Sequence, residues 1–297
     1  MLMGCVGNEL SRAWLVDRTR ILGVQAEPAE AAPGDRVEFR SLSVDPAAGG
    51  ISTVSWLGCL IEDSSDSYGC SPDFERIEEL LAIDVDSLPP QQQLQWFQDL
   101  QAAGVLGFEP DLPPSLNVPE DLLDDLSEEK MLEGKNYILT ITALPEGLEF
   151  EDPEALTDEA VGEVALKRLP VSVAETPNHN PVITAVLLEN EHELLDGDTL
   201  TLRHGQTYLF EPLLSEDSIE DYVYINSDGE REERTEEPYF SYYLTGGFFD
   251  QSIALYPFLD FEWTAPVDPP EDPVQMWMVV RDRRGGMTWS SLTIVVE

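Results

Sequence analysis

Residues 21–59 read ILGVQAEPAEAAPGDRVEFRSLSVDPAAGGISTVSWLGC, and this stretch decides the fold. Three short apolar or alternating runs are separated by turn chemistry: Pro28, then Pro33-Gly34-Asp35, then Asp45-Pro46 with Gly49-Gly50. Val37 and Phe39 alternate with Glu38 and Arg40, the period of a half-buried strand. Three strands at intervals of about 10 to 15 residues point to an antiparallel sandwich.

C-terminal to this stretch the rhythm changes. FERIEELLAID (74–84) and PPQQQLQWFQDLQAA (89–103) read as helices, the second opening on prolines and closing before Gly104, with Leu94, Phe97, Leu100 and Gln101 at helical spacing. A third helix is expected from Pro119 to Gly134, with Leu122, Leu123 and Leu126 as its apolar stripe. Residues 71–133 therefore read as one helical insertion, dispensable to the sandwich it interrupts. Period two returns at Tyr137, Leu139 and Ile141, and residues 164–175 supply a closing strand broken by Pro170.

TPNHNP (176–181) carries two prolines and two asparagines and marks a linker. From 182 to 297 about seven short strands recur, which is one more sandwich. The expected organisation is a tether over 1–19, a first sandwich over 20–175 and a second over 182–297. The fold class is mostly β: two immunoglobulin-like antiparallel sandwiches in tandem.

Charge narrows the partners. Asp plus Glu number 59 against 16 Lys plus Arg, a net charge of -43, so the chain repels nucleic acid. Only Lys130, Lys135 and Lys167 are lysines, and an acid-rich, lysine-poor surface suits a salty or divalent-rich exterior. No apolar run reaches the length of a bilayer span. Cys59 and Cys70, with ten residues between them, form a close pair and are expected to be disulfide-bonded, leaving Cys5 alone; a pair plus a singleton fits an oxidising compartment.

Catalytic signatures are missing. The sequence has no nucleophile elbow, P-loop or dinucleotide fingerprint, and His192-Glu193-Leu194-Leu195-Asp196 has aspartate where a zinc helix needs its second histidine. With 59 acidic residues, close carboxylate pairs arise everywhere and identify no general acid and base. No cofactor is expected. Asp196, Asp198, Asp217, Glu220, Asp221 and Asp228 are the candidates for calcium, although none sits in a D-x-D-x-D-G loop. Of the aromatic residues, the adjacent pairs Tyr242-Tyr243 and Phe248-Phe249 stand out. Neighbours on a strand face opposite ways, so one of each pair is core and the other a candidate platform for a sugar or protein. Arg281, Arg283 and Arg284 form a dense basic cluster, expected to pair with nearby carboxylates.

Three stretches together resemble bacterial cell-envelope lipoproteins built from immunoglobulin-like or cadherin-like modules: LMGC (2–5), AEPAEAAPGDRVEFRSLSVDP (26–46) and WTAPVDPPEDPVQMWMVVRDRRGG (263–286). The resemblance implies a lipid on Cys5, an outer-membrane anchor facing periplasm or exterior, and partnership with a protein or polysaccharide of the cell surface. It covers both sandwiches and omits the helical insertion. Two departures stand out. Trp56 and Cys59 share one expected strand, so the bridge would pin a loop and not tie two sheets. Only Met1 to Gly4 precede Cys5, so the apolar stretch needed for export is expected from a longer reading frame. The function expected is a non-enzymatic, anchored lipoprotein presenting a structural or adhesive surface. The alternatives are a carbohydrate-binding module using the aromatics of the second domain, or a hydrolase with its site near the helical insertion.

Overall fold

The alternation at Val37 and Phe39 survives in three dimensions: both are buried, and Glu38 and Arg40 point to solvent. The computed structural model describes residues 12–46, 50–60, 72–146, 162–225 and 230–297. In the first domain β1 (Arg20–Glu27), β2 (Arg36–Val44), β3 (Ile51–Leu60), β4 (Val105–Glu109), β5 (Ser115–Asn117), β6 (Lys135–Pro145) and β7 (Glu163–Val171) form two antiparallel sheets. Their orders are β1-β2-β5 and β4-β3-β6-β7. Trp56 stacks on Phe39 between the sheets, ring centroids 5.9 Å apart.

The expected insertion over 71–133 is corrected. Its helical part is a hairpin of α1 (Phe74–Leu81) and α2 (Pro90–Ala102), packed on the outer face of the second sheet. Ile77, Leu80, Leu100 and Ala103 cover Leu57 and Val105 there. On α2 the inward face is Trp96 and Leu100, while Leu94 is 63% exposed. The remainder belongs to the sandwich: β4 pairs with β3 and β5 with β2, and Leu106, Leu116, Val118, Leu122 and Leu123 lie in the main core. The third expected helix shrinks to α3 (Glu128–Glu133), capped by Ser127. Leu122 and Leu123 reach the core from a turn, so their apolar spacing reports burial and not helix.

The second domain comprises β8 (Ile183–Leu188), β9 (His192–Leu194), β10 (Thr199–Leu202), β11 (Thr207–Leu214), β12 (Asp221–Ile225), β13 (Arg231–Thr235), β14 (Tyr239–Leu244), β15 (Phe248–Phe249), β16 (Ile253–Leu255), β17 (Phe261–Thr264), β18 (Val274–Arg281) and β19 (Met287–Val296). Two five-stranded sheets, β10-β19-β18-β14-β16 and β15-β17-β11-β8-β9, enclose Phe210, Tyr242, Phe261 and Trp263. The pairing is antiparallel except that β10 lies parallel to β19. β12 and β13 form a separate two-stranded hairpin outside both sheets.

The two sandwiches are docked. On β18, Met276, Met278 and Val280 face the second core, while Trp277 and Val279 face the first domain and meet Leu22 and Val16. A strand covered on both faces reads as an unbroken apolar run, which is why MWMVV lacks alternation. Polar contacts align the junction. Gln25 Nε2 donates to Met287 O at 2.7 Å, and Arg281 donates to Leu22 O at 2.8 Å. In the linker Asn178 is buried, and Asn180 donates to Ala26 O at 2.7 Å while accepting from Met287 N at 2.9 Å.

The polar tether expected over 1–19 is corrected for its described part. Trp14 O accepts from Leu244 N at 3.1 Å and Val16 N donates to Leu244 O at 2.8 Å, so residues 14–16 lie against β14 of the second sandwich. Val16 is 1% exposed there. Cys5 lies outside the described residues.

Candidate functional site

Where β7, the linker and the second domain meet, the β12–β13 hairpin overhangs a groove of about 1300 Å³. Five of the chain's 13 arginines line it: Arg168, Arg231, Arg234, Arg283 and Arg284. Each is placed by local chemistry. Arg168 projects to solvent from β7. On the hairpin, Tyr222 stands opposite Arg234 and Tyr224 opposite Glu232, so the period of two puts all four on one face. The Arg234 guanidinium lies over the Tyr224 ring, 3.7 Å from its centroid, and pairs with Glu232 at 2.6 Å.

Arg283 and Arg284 come from the turn between β18 and β19. Asp282 Oδ1 accepts from Arg284 N at 2.7 Å and Gly285 N at 2.9 Å, which fixes the turn; Arg283 takes a positive φ of 73° and Gly285 one of 133°. Arg283 consequently points outward to Glu237 at 3.4 Å. Arg284 turns inward, where it meets Glu220 and Glu236 at 3.1 Å, Glu30 of the first domain at 3.4 Å and Thr176 O at 3.0 Å, and its guanidinium lies 4.4 Å from the Tyr222 centroid. The expectation that this cluster pairs with nearby carboxylates holds for Arg283 and Arg284.

The groove floor is electrically tuned. Burial, reinforced by Asp282, pushes the Glu236 carboxyl up to about 7. Burial likewise raises Asp282, against the hydrogen bonds it accepts from Asn178, Gly285 and Arg284. Lys167, behind the turn with its Nζ donating to Gly285 O, is lowered to about 8 by burial.

The expected aromatic platform does not form as a unit. Tyr242 is fully buried, donates to Leu259 O at 2.6 Å, and is raised by burial; Phe249 is 2% exposed. Both face the core because β14 and β15 present them between the two sheets. Tyr243 packs in the junction between domains. Phe248 alone of the four is open, 50% exposed, and its ring meets Trp14 edge-on at 5.9 Å. Cys59 is near the end of β3, and Cys70 lies outside the described residues, so their bridge stays an expectation. Of the acids weighed for calcium, Asp196 accepts from Ser291 N, Asp198 from Leu195 N, and Glu220 is taken by His179 and Arg284. Asp228 lies outside the described residues, and among the described residues no three metal-ligating side chains gather. Among those residues, too, no helix is long and apolar enough to cross a membrane.

The hairpin escaped the sequence reading, although a signal for it was present. Tyr222 and Tyr224 alternate into Ser227-Asp228-Gly229, and Arg231 and Arg234 follow in a chain poor in cations.

No family model and no curated protein matches the sequence. Solved structures are similar at low identity. The N-terminal Ig1-2 module of the Drosophila receptor protein tyrosine phosphatase DLAR is 10% identical over 94% of this chain and 99% of that one, with a TM-score of 0.25. The two tandem V-type regions of VCBP3, a v-region-containing chitin binding protein, are 11% identical over 93% and 100%, with a TM-score of 0.28. A nucleoside hydrolase-related protein from Saccharophagus degradans is 12% identical over 51% of this chain, which spans 39% of that protein, with a TM-score of 0.28. At these scores the likenesses carry no argument; the sandwich architecture rests on the strand order itself.

Proposed function

We propose that this protein is a non-enzymatic interaction protein of the cell envelope, tethered through a lipid on Cys5, with the groove at the domain junction as its recognition surface. One observation carries the reading. The groove presents exposed guanidinium and phenol groups, whereas its two carboxyls shifted toward protonation are sealed in the floor. Glu236 and Asp282 are 4% and 2% exposed and already engaged by Arg284, Asn178 and backbone N–H groups. Such a surface holds a partner, while the two carboxyls shifted toward protonation are kept away from it. At the helical hairpin, where a hydrolase site was the alternative, Ile77, Leu80 and Leu100 close directly on Leu57 and Val105.

The test is site-specific crosslinking in the native envelope. A photoreactive residue at Tyr224 is expected to give discrete adducts, and one at Leu195, exposed elsewhere on the second domain, none. Equal labelling at the two positions, or none at Tyr224, overturns the groove as the recognition surface. Labelled palmitate entering the wild type but not Cys5→Ser, each expressed in the native organism, tests the tether; equal labelling or none removes it.

A further inference from the structure

The geometry points to a uronate-bearing saccharide as the ligand of the groove. This deepens the reading of the groove as a recognition surface and rests on it. The first consideration is where the cations sit. A chain with 13 arginines among 59 acidic residues places five of them around one groove, from three separate parts of the fold. Arg231, Arg234 and Arg283 are 43% to 54% exposed and paired with Glu175, Glu232 and Glu237, which are exposed themselves. Exposed pairs of this kind contribute little, so an incoming carboxylate can take the place of the protein's own at small cost. The planar fork of arginine matches a carboxylate in two parallel hydrogen bonds. Arg168, exposed and with no ion pair among the described residues, lines the groove from β7 of the first domain.

The second consideration separates ligand classes. Phosphate chains and nucleic acid call for a uniformly basic surface, and here Glu133, Glu175 and Glu237 are interleaved with the arginines. A polyacidic peptide would set its carboxylates against these same acids and offer few side-chain donors in return. A uronate carries one carboxylate for the guanidinium groups and several hydroxyls to donate to the glutamates. The Tyr224 ring, under the Arg234 guanidinium at 3.7 Å, holds the plane of that guanidinium in place for a carboxylate. The repulsion between a polyanion and a protein of net charge -43 is long-ranged and largely screened beyond about 8 Å at physiological ionic strength, while the contact pairs act within that distance.

The experiment is calorimetric titration of the whole protein with a panel of oligouronates, their methyl esters and polyglutamate. At least one free-acid oligomer is expected to bind, with esterification weakening it about tenfold or more, the loss of one charge-assisted pair. Arg231→Gln with Arg234→Gln should weaken binding to a similar extent, and Arg36→Gln, exposed on β2 away from the groove, should leave it unchanged. Circular dichroism of each variant checks that it folds. Absence of binding by every free acid, ester binding equal to acid, polyglutamate binding as tightly as the uronates, or no effect of the double variant would each overturn the proposal. Crosslinks from position 224 that persist in any of these cases would leave the recognition surface standing without its saccharide.

Discussion

Arg284 Nη1 donates to Glu236 Oε1 at 3.1 Å beneath the groove, and the same guanidinium reaches Glu30 across the domain junction. Glu236 is nonetheless raised to about 7, because burial and Asp282 outweigh the arginine. A folded-state value above the unfolded one means stability that is fully present below about 4.5 and is lost as pH rises to 7. The melting temperature should therefore fall across that window in excess of the same protein carrying Glu236→Gln. Parallel curves for the two from pH 5 to 7.5 would refute the assignment.

Trp14 belongs to the second sandwich although it precedes the first. Trp14→Ala removes its edge-on contacts with Phe248 and Phe249, at 5.9 and 5.8 Å, and should destabilise by about 1 to 3 kcal/mol. Arg18→Ala, exposed in the same segment, should change stability by less than about 0.5 kcal/mol. Chemical denaturation of both variants checks the contrast.

The helical hairpin can be excised and the rest of the supposed insertion cannot. Asp73 N donates to Ala103 O at 3.1 Å, so the ends of 74–102 already meet and a Gly-Gly bridge can span them. That deletion should keep a cooperative transition at lower temperature, since Leu57 and Val105 lose their cover. Deleting 71–133 also removes β4, β5 and five core residues, and should abolish folding of the first sandwich. Circular dichroism melts of the two deletions decide it.

Cys59 and Cys70 are expected to be bridged in protein taken from the envelope, closing a short loop worth about 2 to 3 kcal/mol. Peptide mapping without reduction should show the linked fragment, and Cys70→Ser should lower the melting temperature. Two free thiols would also remove support for an oxidising compartment.

Both sandwiches were legible because strand alternation and turn residues are local signals, as at Val37 to Arg40 and Asp282 to Gly286. What escaped depends on long-range partners. Leu122 and Leu123 have a helix-like spacing but are buried from a turn, by strands distant in sequence. The sequence shows that one of Tyr242 and Tyr243 faces the core, yet not that the other is covered by the first domain. The groove was hidden for the same reason: Arg168, Arg231 and Arg284 are neighbours only after the domains dock. The arginine cluster was visible, and its pairing followed from the local excess of acid.

The crossing of residues 14–16 onto β14 sets an order of events during synthesis. The segment leaves the ribosome ahead of the first sandwich, and the strand that receives it is made only after that whole sandwich has emerged. Domains that fold as they are made would leave Trp14 and Val16 in water until then, together with Leu22, whose cover comes from β18 and β19. The first sandwich can close its own core as soon as β7 is available, but its outer face is completed by the last strand of the chain. Residues made ahead of the first sandwich are thus among the last to dock, and a nascent chain stalled before β18 would expose an apolar edge that the finished protein never shows.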